Sequence, residues 1–412
     1  MSDAGEIFDE VTRWVASKWD PDLTVGEWWR CLADERYAHP TLPEAAGGRD
    51  YGRRENASVR RALAEAEAMG PPTGLGMMLA APTIAAHGTQ EQIDRLVRPI
   101  LTGEQAWCQL FSEPNAGSDL ASIQTSATLD GDEYVVNGQK VWTSGGKIAE
   151  KGMLIARTDP ALAKHRGIGW FAFDMLQDGV DVRPLTEMTG RAIFNEVFID
   201  DARVGADDLI GEQGAGWRVA NDTLMFERMS LGANPVPLNS CSPGSIANNL
   251  GLRAGDVAAR RRSGEAGIAQ PNMAYWQRLV DEARQRDMLR DPVLRDRFVR
   301  FYELAQVTRF AALRGRQAGA SSASPNISKL MMSELYRAAR ELGVAVVGMD
   351  ATLATDNGVE WLVQEMVMFS PGPAIYGGTD QVQRNIIGER GLGLAREPGP
   401  SKDTPFNELP KN

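Results

Sequence analysis

Cysteine and histidine are scarce in this chain, with three of each in 412 residues. Cys31, Cys108 and Cys241 are widely spaced and odd in number, so they give no disulfide framework and no cysteine metal cluster. His39, His87 and His165 are as scattered, and no histidine metal site is readable. Basic clusters are missing except for Arg260-Arg261-Arg262, and the net charge is -11. That balance speaks against nucleic acid, which requires clustered Lys and Arg on its binding surface. The short arginine run reads as a solvated loop, with contact to an anionic ligand or partner chain as the alternative. Long apolar runs are absent too: the stretch from Met77 to Ala86 is broken by Pro82 and is too short to span a bilayer. Met1 to Glu6 lacks the basic and apolar regions of a signal peptide. A cytoplasmic protein without a membrane span is the expectation.

What is present is enough apolar material for sizeable cores, 43% of the chain, and a length that implies two or three domains. The first hundred residues read as helical. Ser58 to Met69 is rich in Ala, Glu, Arg and Leu, and Gly70-Pro71-Pro72 stops it. Thr89 to Gln92 has the form of a capping box opening a helix over Gln90 to Leu101. In that helix Ile93, Leu96, Val97 and Ile100 mark the buried face. Trp14, Trp19, Trp28 and Trp29 read as core residues, with a partner surface as the alternative.

The texture changes near Trp107. From Thr125 to Asp200, short β-branched and aromatic runs alternate with turn dipeptides. Asp130-Gly131 and Asn137-Gly138 carry hairpin-turn chemistry. Met153 to Ala156, Trp170 to Phe173 and Glu196 to Ile199 read as strands. Helical texture returns over Arg218 to Leu231. Pro325 suits the first turn of a helix capped by Ser324, with Ile327, Leu330, Met331 and Leu335 as its core stripe. Between these helices runs a Pro- and Gly-rich stretch from Asn234 to Asn272, which predicts a long irregular loop of functional or mobile character. Residues 397–412 predict a loose tail. The domain expectation is therefore helical 1–105, β 106–213, helical bundle 214–396 and tail 397–412.

Three motif sites give this order a resemblance. Phe111-Ser112-Glu113-Pro114-Asn115-Ala116-Gly117-Ser118-Asp119, Trp142-Thr143-Ser144 and Tyr376-Gly377-Gly378-Thr379-Asp380-Gln381-Val382-Gln383-Arg384 together resemble the acyl-CoA dehydrogenase family. The resemblance spans about Thr41 to Arg396 and implies an α+β multidomain fold: an N-terminal helical domain, a middle β-barrel domain and a C-terminal helical bundle. It implies FAD as cofactor. The Phe111 backbone and Ser112 would meet the isoalloxazine ring and Ser118 the pyrophosphate. Trp142 would lie against the flavin, Ser144 would bond its N5, and Thr379 and Gln381 would reach the FAD. Small residues at Ala116 and Gly117 suit close approach of backbone to a ligand.

Many relatives carry a catalytic glutamate where this chain has Gly377. In the family's second pattern the base belongs to a Glu-Arg pair on the first helix after the β domain, here Glu227-Arg228. The resemblance therefore implies Glu227 as the base, Arg228 close by, and the Gly377 backbone N–H as an oxyanion donor. Asp380 competes as a carboxylate, but its position in the family is variable and exposed. The implied reaction is α,β-dehydrogenation of an acyl-CoA, with electrons passing to an electron-transfer flavoprotein.

Two departures concern assembly. The Arg-x-x-Phe-Gly motif of homotetrameric relatives is missing, and their Gln-x-x-Gly-Gly motif is degraded to Val344-Ala345-Val346-Val347-Gly348-Met349-Asp350. Both reach the FAD of a neighbouring subunit, so the resemblance extends to heterotetrameric α2β2 relatives, some acting on steroid-derived thioesters. An acyl-CoA oxidase on the same scaffold and a non-catalytic scaffold subunit stay open at this point.

Overall fold

A computed structural model describes residues 4–231, 236–260, 270–315, 317, 323–353, 355, 357–396, 398–399, 401 and 403–409. The first helical region holds α1 (Ala4–Lys18), α2 (Val25–Asp34), α3 (Arg53–Glu65), α4 (Ala81–His87) and α5 (Gln90–Leu101). The capping box forms as expected: Gln92 N donates to Thr89 Oγ1 at 3.3 Å, and Thr89 N donates to Gln92 Oε1 at 2.9 Å. Ile93, Leu96, Val97 and Ile100 are buried. Helix α3 ends at Glu65 rather than Met69, because Glu67 takes a left-handed φ of 52° ahead of Gly70. Trp28 and Trp29 are wholly buried, with their indole N–H groups donating to the carbonyls of Met69 and Gly70. Trp14 and Trp19 pack on the same core.

The middle region is one sheet of β1 (Trp107–Leu110), β2 (Ser126–Asp130), β3 (Glu133–Ser144), β4 (Lys151–Arg157), β5 (Ile168–Asp174), β6 (Val180–Leu185) and β7 (Phe194–Gly205). Its order is β1-β4-β2-β3-β7-β6, with β5 also pairing β4. Asp130-Gly131 does close the β2–β3 hairpin, where Asp130 pairs with Glu133. Asn137-Gly138 does not turn the chain. It lies inside β3 at a bulge, where the register against β7 shifts. Gly138 passes so close to Thr125 that a Cβ would lie 2.4 Å from its Oγ1. The Asn137 side chain meanwhile bonds Asp201 through both its amide nitrogen and its oxygen.

The rest is helical: α6 (Gly216–Leu231), α7 (Ala254–Ala258), α8 (Met273–Gln285), α9 (Pro292–Arg314), α10 (Ser324–Val347), α11 (Gly358–Phe369) and α12 (Asp380–Ile386). Helices α8 to α11 share one apolar core. Helix α6 instead buries Val219 and Ala220 in the N-terminal core, and it packs on α4, β5 and α10. Pro325 sits in the first turn of α10, but Ser324 is the first helical residue and makes no side-chain cap. The expected stripe is also displaced. Ile327, Leu330 and Met331 are half-buried, while Asn326, Lys329 and Ser333 face inward ahead of Leu335. That face grips polar residues of α12 and the segment before it rather than an apolar neighbour.

The Pro/Gly-rich stretch is an ordered strap over residues 236–253. Val25 N donates to Leu252 O at 2.8 Å, Gly26 N to Leu250 O at 2.9 Å and Gly70 N to Asn239 O at 2.8 Å. Backbone donors of the N-terminal domain thus satisfy strap carbonyls, which is how an irregular segment avoids unpaired polar groups. Arg260 is exposed, whereas Arg261 and Arg262 lie outside the described residues. The tail is anchored as well. Phe406 N donates to Leu162 O at 3.0 Å, and the Arg157 guanidinium sits 3.8 Å above the Phe406 ring.

Candidate active site

Helix α6 brings Glu227 to the meeting of the N-terminal core and the segment before α12. Leu224 and Phe226 pack against that core, so the carboxyl is half-buried among apolar groups. Burial raises it above the ordinary value of 4.5, while Arg228 and the Gln109 amide pull it down. The Tyr376 phenol is pushed up to about 12, by burial first and then by the charge of Glu227. Glu227 therefore lies within electrostatic reach of Tyr376, the residue before Gly377. The Arg228 guanidinium is lowered by burial, with Glu227 opposing and Arg390 reinforcing the shift.

Gly377 and Gly378 have φ of 63° and 80°, a left-handed pair that side-chain-bearing residues adopt with strain. The buried polar face of α10 holds this turn. Gln383 Nε2 donates to Gly377 O at 2.6 Å, and Asn326 Nδ2 donates to Gln383 Oε1 at 2.6 Å. Ser333 Oγ donates to Pro373 O at 2.9 Å. Asp380 is buried, not exposed as expected. Lys329 Nζ donates to it at 3.1 Å and Arg337 pairs with its other oxygen. Burial opposes its charge, but Arg337, Ser333 and Lys329 outweigh burial and hold the carboxyl below 3.8. A carboxylate so paired is a brace, not a base. Thr379 caps α12, its Oγ1 accepting from Val382 N at 3.2 Å, and Gln381 is exposed on the first turn.

The segment after β1 is held from beneath. The Ser112 carbonyl accepts from Val141 N at 2.9 Å. Lys140 Nζ donates to Phe111 O at 3.2 Å and to Glu113 Oε1 at 2.8 Å, and Glu113 also accepts from the backbone N–H groups of Gln124 and Thr125. Phe111 is buried, Ser112 half-buried and Ser118 exposed. Next along β3, Trp142 sits in a bulge between Lys140 and Thr143 with φ of 62°. Trp142 is 57% exposed, its ring edge-on to Phe194 at 5.7 Å. Ser144 is exposed beside it. A bulky residue in the left-handed region, presenting its ring outward, is a mark of a functional site rather than of packing.

The structure thus joins Phe111 and Ser112 to the Trp142 strand, and Glu227 to Tyr376 and Gln109. Among the described residues no hydrogen bond or ring contact links Thr379 or Gln381 to Ser112, Ser118, Trp142 or Ser144. Sequence reasoning assigned no task to Glu113, Lys140, Asn326, Lys329 or Gln383. Lys140, a charged residue at an inward position of a strand, was the readable signal; the α10 residues gave none, since polar residues on helices are ordinarily solvated.

Family models match most of the chain: the acyl-CoA dehydrogenase N-terminal domain over residues 3–104, the middle domain over 108–202 and the C-terminal domain over 263–392, with α6 and the strap lying between the last two. The chain is 37% identical to acyl-CoA dehydrogenase IpdE1 of Mycobacterium tuberculosis, covering 86% of this chain and 84% of that protein. The chain belongs to the acyl-CoA dehydrogenase family. It is also 36% identical to FadE34 of the same organism, over 89% of this chain and 46% of that one. The ChsE4-ChsE5 complex of Mycobacterium tuberculosis is similar in fold, with a TM-score of 0.67 at 26% identity over 96% of this chain and 98% of that one.

As an acyl-CoA dehydrogenase the chain is an FAD-dependent oxidoreductase, and its residues fit that cofactor. A Cβ built on Gly117 meets nothing within 4 Å, so protein packing does not require glycine there, whereas close approach of a ligand would. Trp142 offers an exposed aromatic face, and Ser112, Ser118 and Ser144 have hydroxyls that bond no other described residue. No helix among the described residues is long and apolar enough to cross a membrane.

Proposed function

We propose that this acyl-CoA dehydrogenase uses Glu227 as the base that removes the α-proton of its acyl thioester. The observation that carries the reading is the placement of a desolvated carboxyl on α6 within reach of the Tyr376-Gly377 turn. A carboxylate in a dry setting is a stronger base than one in water, which suits a weakly acidic α-hydrogen. The Gly377 N–H donates to the thioester carbonyl and stabilises the enolate-like charge that develops. Arg228 opposes the rise that burial imposes on Glu227. Phe111, Ser112, Ser118, Trp142, Ser144, Thr379 and Gln381 hold FAD, which when bound supplies the acceptor for the β-hydride. An electron-transfer flavoprotein takes the electrons onward, and the site of action is the cytoplasm.

The chain works as one of two different subunits in an α2β2 assembly. Support comes from the missing Arg-x-x-Phe-Gly motif, from the degraded segment, where Val344 and Met349 stand exposed, and from a relative in fold that is itself a two-protein complex. The acyl group is bulky and steroid-derived. That reading rests on the likeness to the Tcur3481-Tcur3483 steroid ACAD, whose fold this chain shares.

Anaerobic titration of the complete flavoprotein with a panel of acyl-CoAs tests the assignment. Glu227→Gln is expected to keep FAD and bind thioester while flavin bleaching slows by roughly three orders of magnitude or more. Bleaching at the wild-type rate would refute the assignment.

A further inference from the structure

Strand β1 carries a residue that the reading above does not use. Its side chains alternate. Cys108 and Leu110 enter the core of the sheet, while Trp107 and Phe111 join the N-terminal core, where Leu224 and Phe226 of α6 also pack. Gln109 lies between Trp107 and Phe111 on the same side, so it faces α6. Its Nε2 is buried, with no hydrogen-bond partner among the described residues. Native proteins keep few such donors, because a buried N–H without an acceptor is costly. The acceptor closest in effect is Glu227: the amide already draws its carboxyl toward the charged form, although the contact falls short of full hydrogen-bond geometry. A donor held close to an acceptor but not yet bonded to it is poised to tighten when a ligand closes the site.

We propose that Gln109 is the positioning residue for the catalytic carboxylate: its Nε2–H donates to one Glu227 oxygen once thioester is bound, leaving the other oxygen directed at the α-carbon. This rests on Glu227 being the base. The other groups acting there are few. Arg228 shares the helix, Tyr376 faces Glu227 from the turn before α12, and Arg390 acts on Arg228. On the elements packed against α6, His87 of α4 pairs with Asp222, and Lys329 and Arg337 of α10 pair with Asp380.

The experiment is stopped-flow flavin reduction by an acyl-CoA across pH, on the complete holoenzyme, in wild type, Gln109→Met, Gln109→Leu and Glu227→Gln. Methionine keeps the volume and removes the donor. Loss of a donor to the carboxylate disfavours its charged form, so the acid limb of the rate profile is expected to move up by roughly one pH unit. The plateau rate is expected to fall about tenfold or more, and the Kd for a non-reactive thioether analogue of the substrate to stay unchanged. Two Gln109 variants with the wild-type acid limb, in a background where Glu227→Gln is dead, would overturn the proposal. Loss of analogue binding without a limb shift would overturn it too, by assigning Gln109 to the ligand. An active Glu227→Gln would instead sink the underlying assignment of the base, so the two failures are told apart.

Discussion

Lys140 donates to Glu113 at 2.8 Å with its side chain 0% exposed and that of Glu113 8% exposed. The same ammonium holds the Phe111 carbonyl, so one buried cation ties β3 to the segment after β1. Removing it leaves a buried carboxylate without its counter-charge. Lys140→Met is expected to lower stability by about 3–5 kcal/mol and to reduce FAD content, read by thermal denaturation and flavin absorbance. Lys140→Met with Glu113→Gln should recover part of the loss, because the unpaired charge is gone. Burial works against the charge on Glu113, but Lys140 and its other donors outweigh burial and hold the carboxyl below 4.5. A lowered folded-state value stabilises fully above the unfolded value, and that stabilisation is lost as pH falls through the folded one. Flavin release and a falling Tm are therefore expected on acidification below about pH 4.5, not between 7 and 5.

Glu227 has the opposite sign. Its folded-state value is raised, by burial above all. A raised carboxyl favours the fold below the unfolded value and opposes it once pH exceeds the folded one. Glu227→Gln is expected to have a higher Tm than wild type at pH 8, with the difference shrinking as the pH approaches 4.5, the carboxyl's ordinary value. Calorimetry at matched ionic strength checks this, independently of turnover.

The turn carrying Gly377 depends on two amides. Gln383→Leu frees the Gly377 carbonyl, and Asn326→Leu frees the Gln383 amide that holds it, so either lets the turn drift. The expected result is a kcat lower by roughly 10- to 100-fold with full FAD occupancy. Steady-state kinetics alongside flavin content would show whether kcat falls alone.

Glu150 clasps the strap. Its two oxygens accept from Ala106 N at 2.7 Å, Ser245 Oγ at 2.9 Å and Ile246 N at 3.0 Å. Glu150→Ala removes all three bonds and is expected to cost ~1–3 kcal/mol or more. It should also expose residues 236–253 to early proteolysis, followed by mass spectrometry of the fragments.

Gly117→Ala separates packing from cofactor. Open space surrounds the position, so the FAD-free variant should melt like FAD-free wild type. FAD affinity should fall by about tenfold, or 1.4 kcal/mol, in a flavin titration.

The legible parts of this molecule are those where local chemistry decides. Thr89 and Gln92 announce the start of α5 because both bonds of the box lie within one turn. Asp130-Gly131 announces a hairpin because its φ requirement is local. Asn137-Gly138 carries the same dipeptide chemistry, yet Thr125 and Asp201, distant in sequence, turn it into a bulge. The strap is irregular as expected, but its anchoring was not legible for a related reason: its hydrogen-bond partners lie some two hundred residues earlier, in α2 and after α3, so only folding could supply them. At the site, Glu227 and the motif residues were readable through resemblance. Gln109, Gln383 and Asn326 were not, since a glutamine or asparagine reveals its partner only once the fold brings one to it.

Trp142 gives the protein a built-in optical gauge. Trp28, Trp29 and Trp170 are sealed from water and should emit in the blue, beyond the reach of acrylamide. The indole on the β3 bulge should emit further to the red and be open to that quencher. Reconstitution with flavin would extinguish its light selectively, so the shift of the emission maximum would count occupied centres without any label.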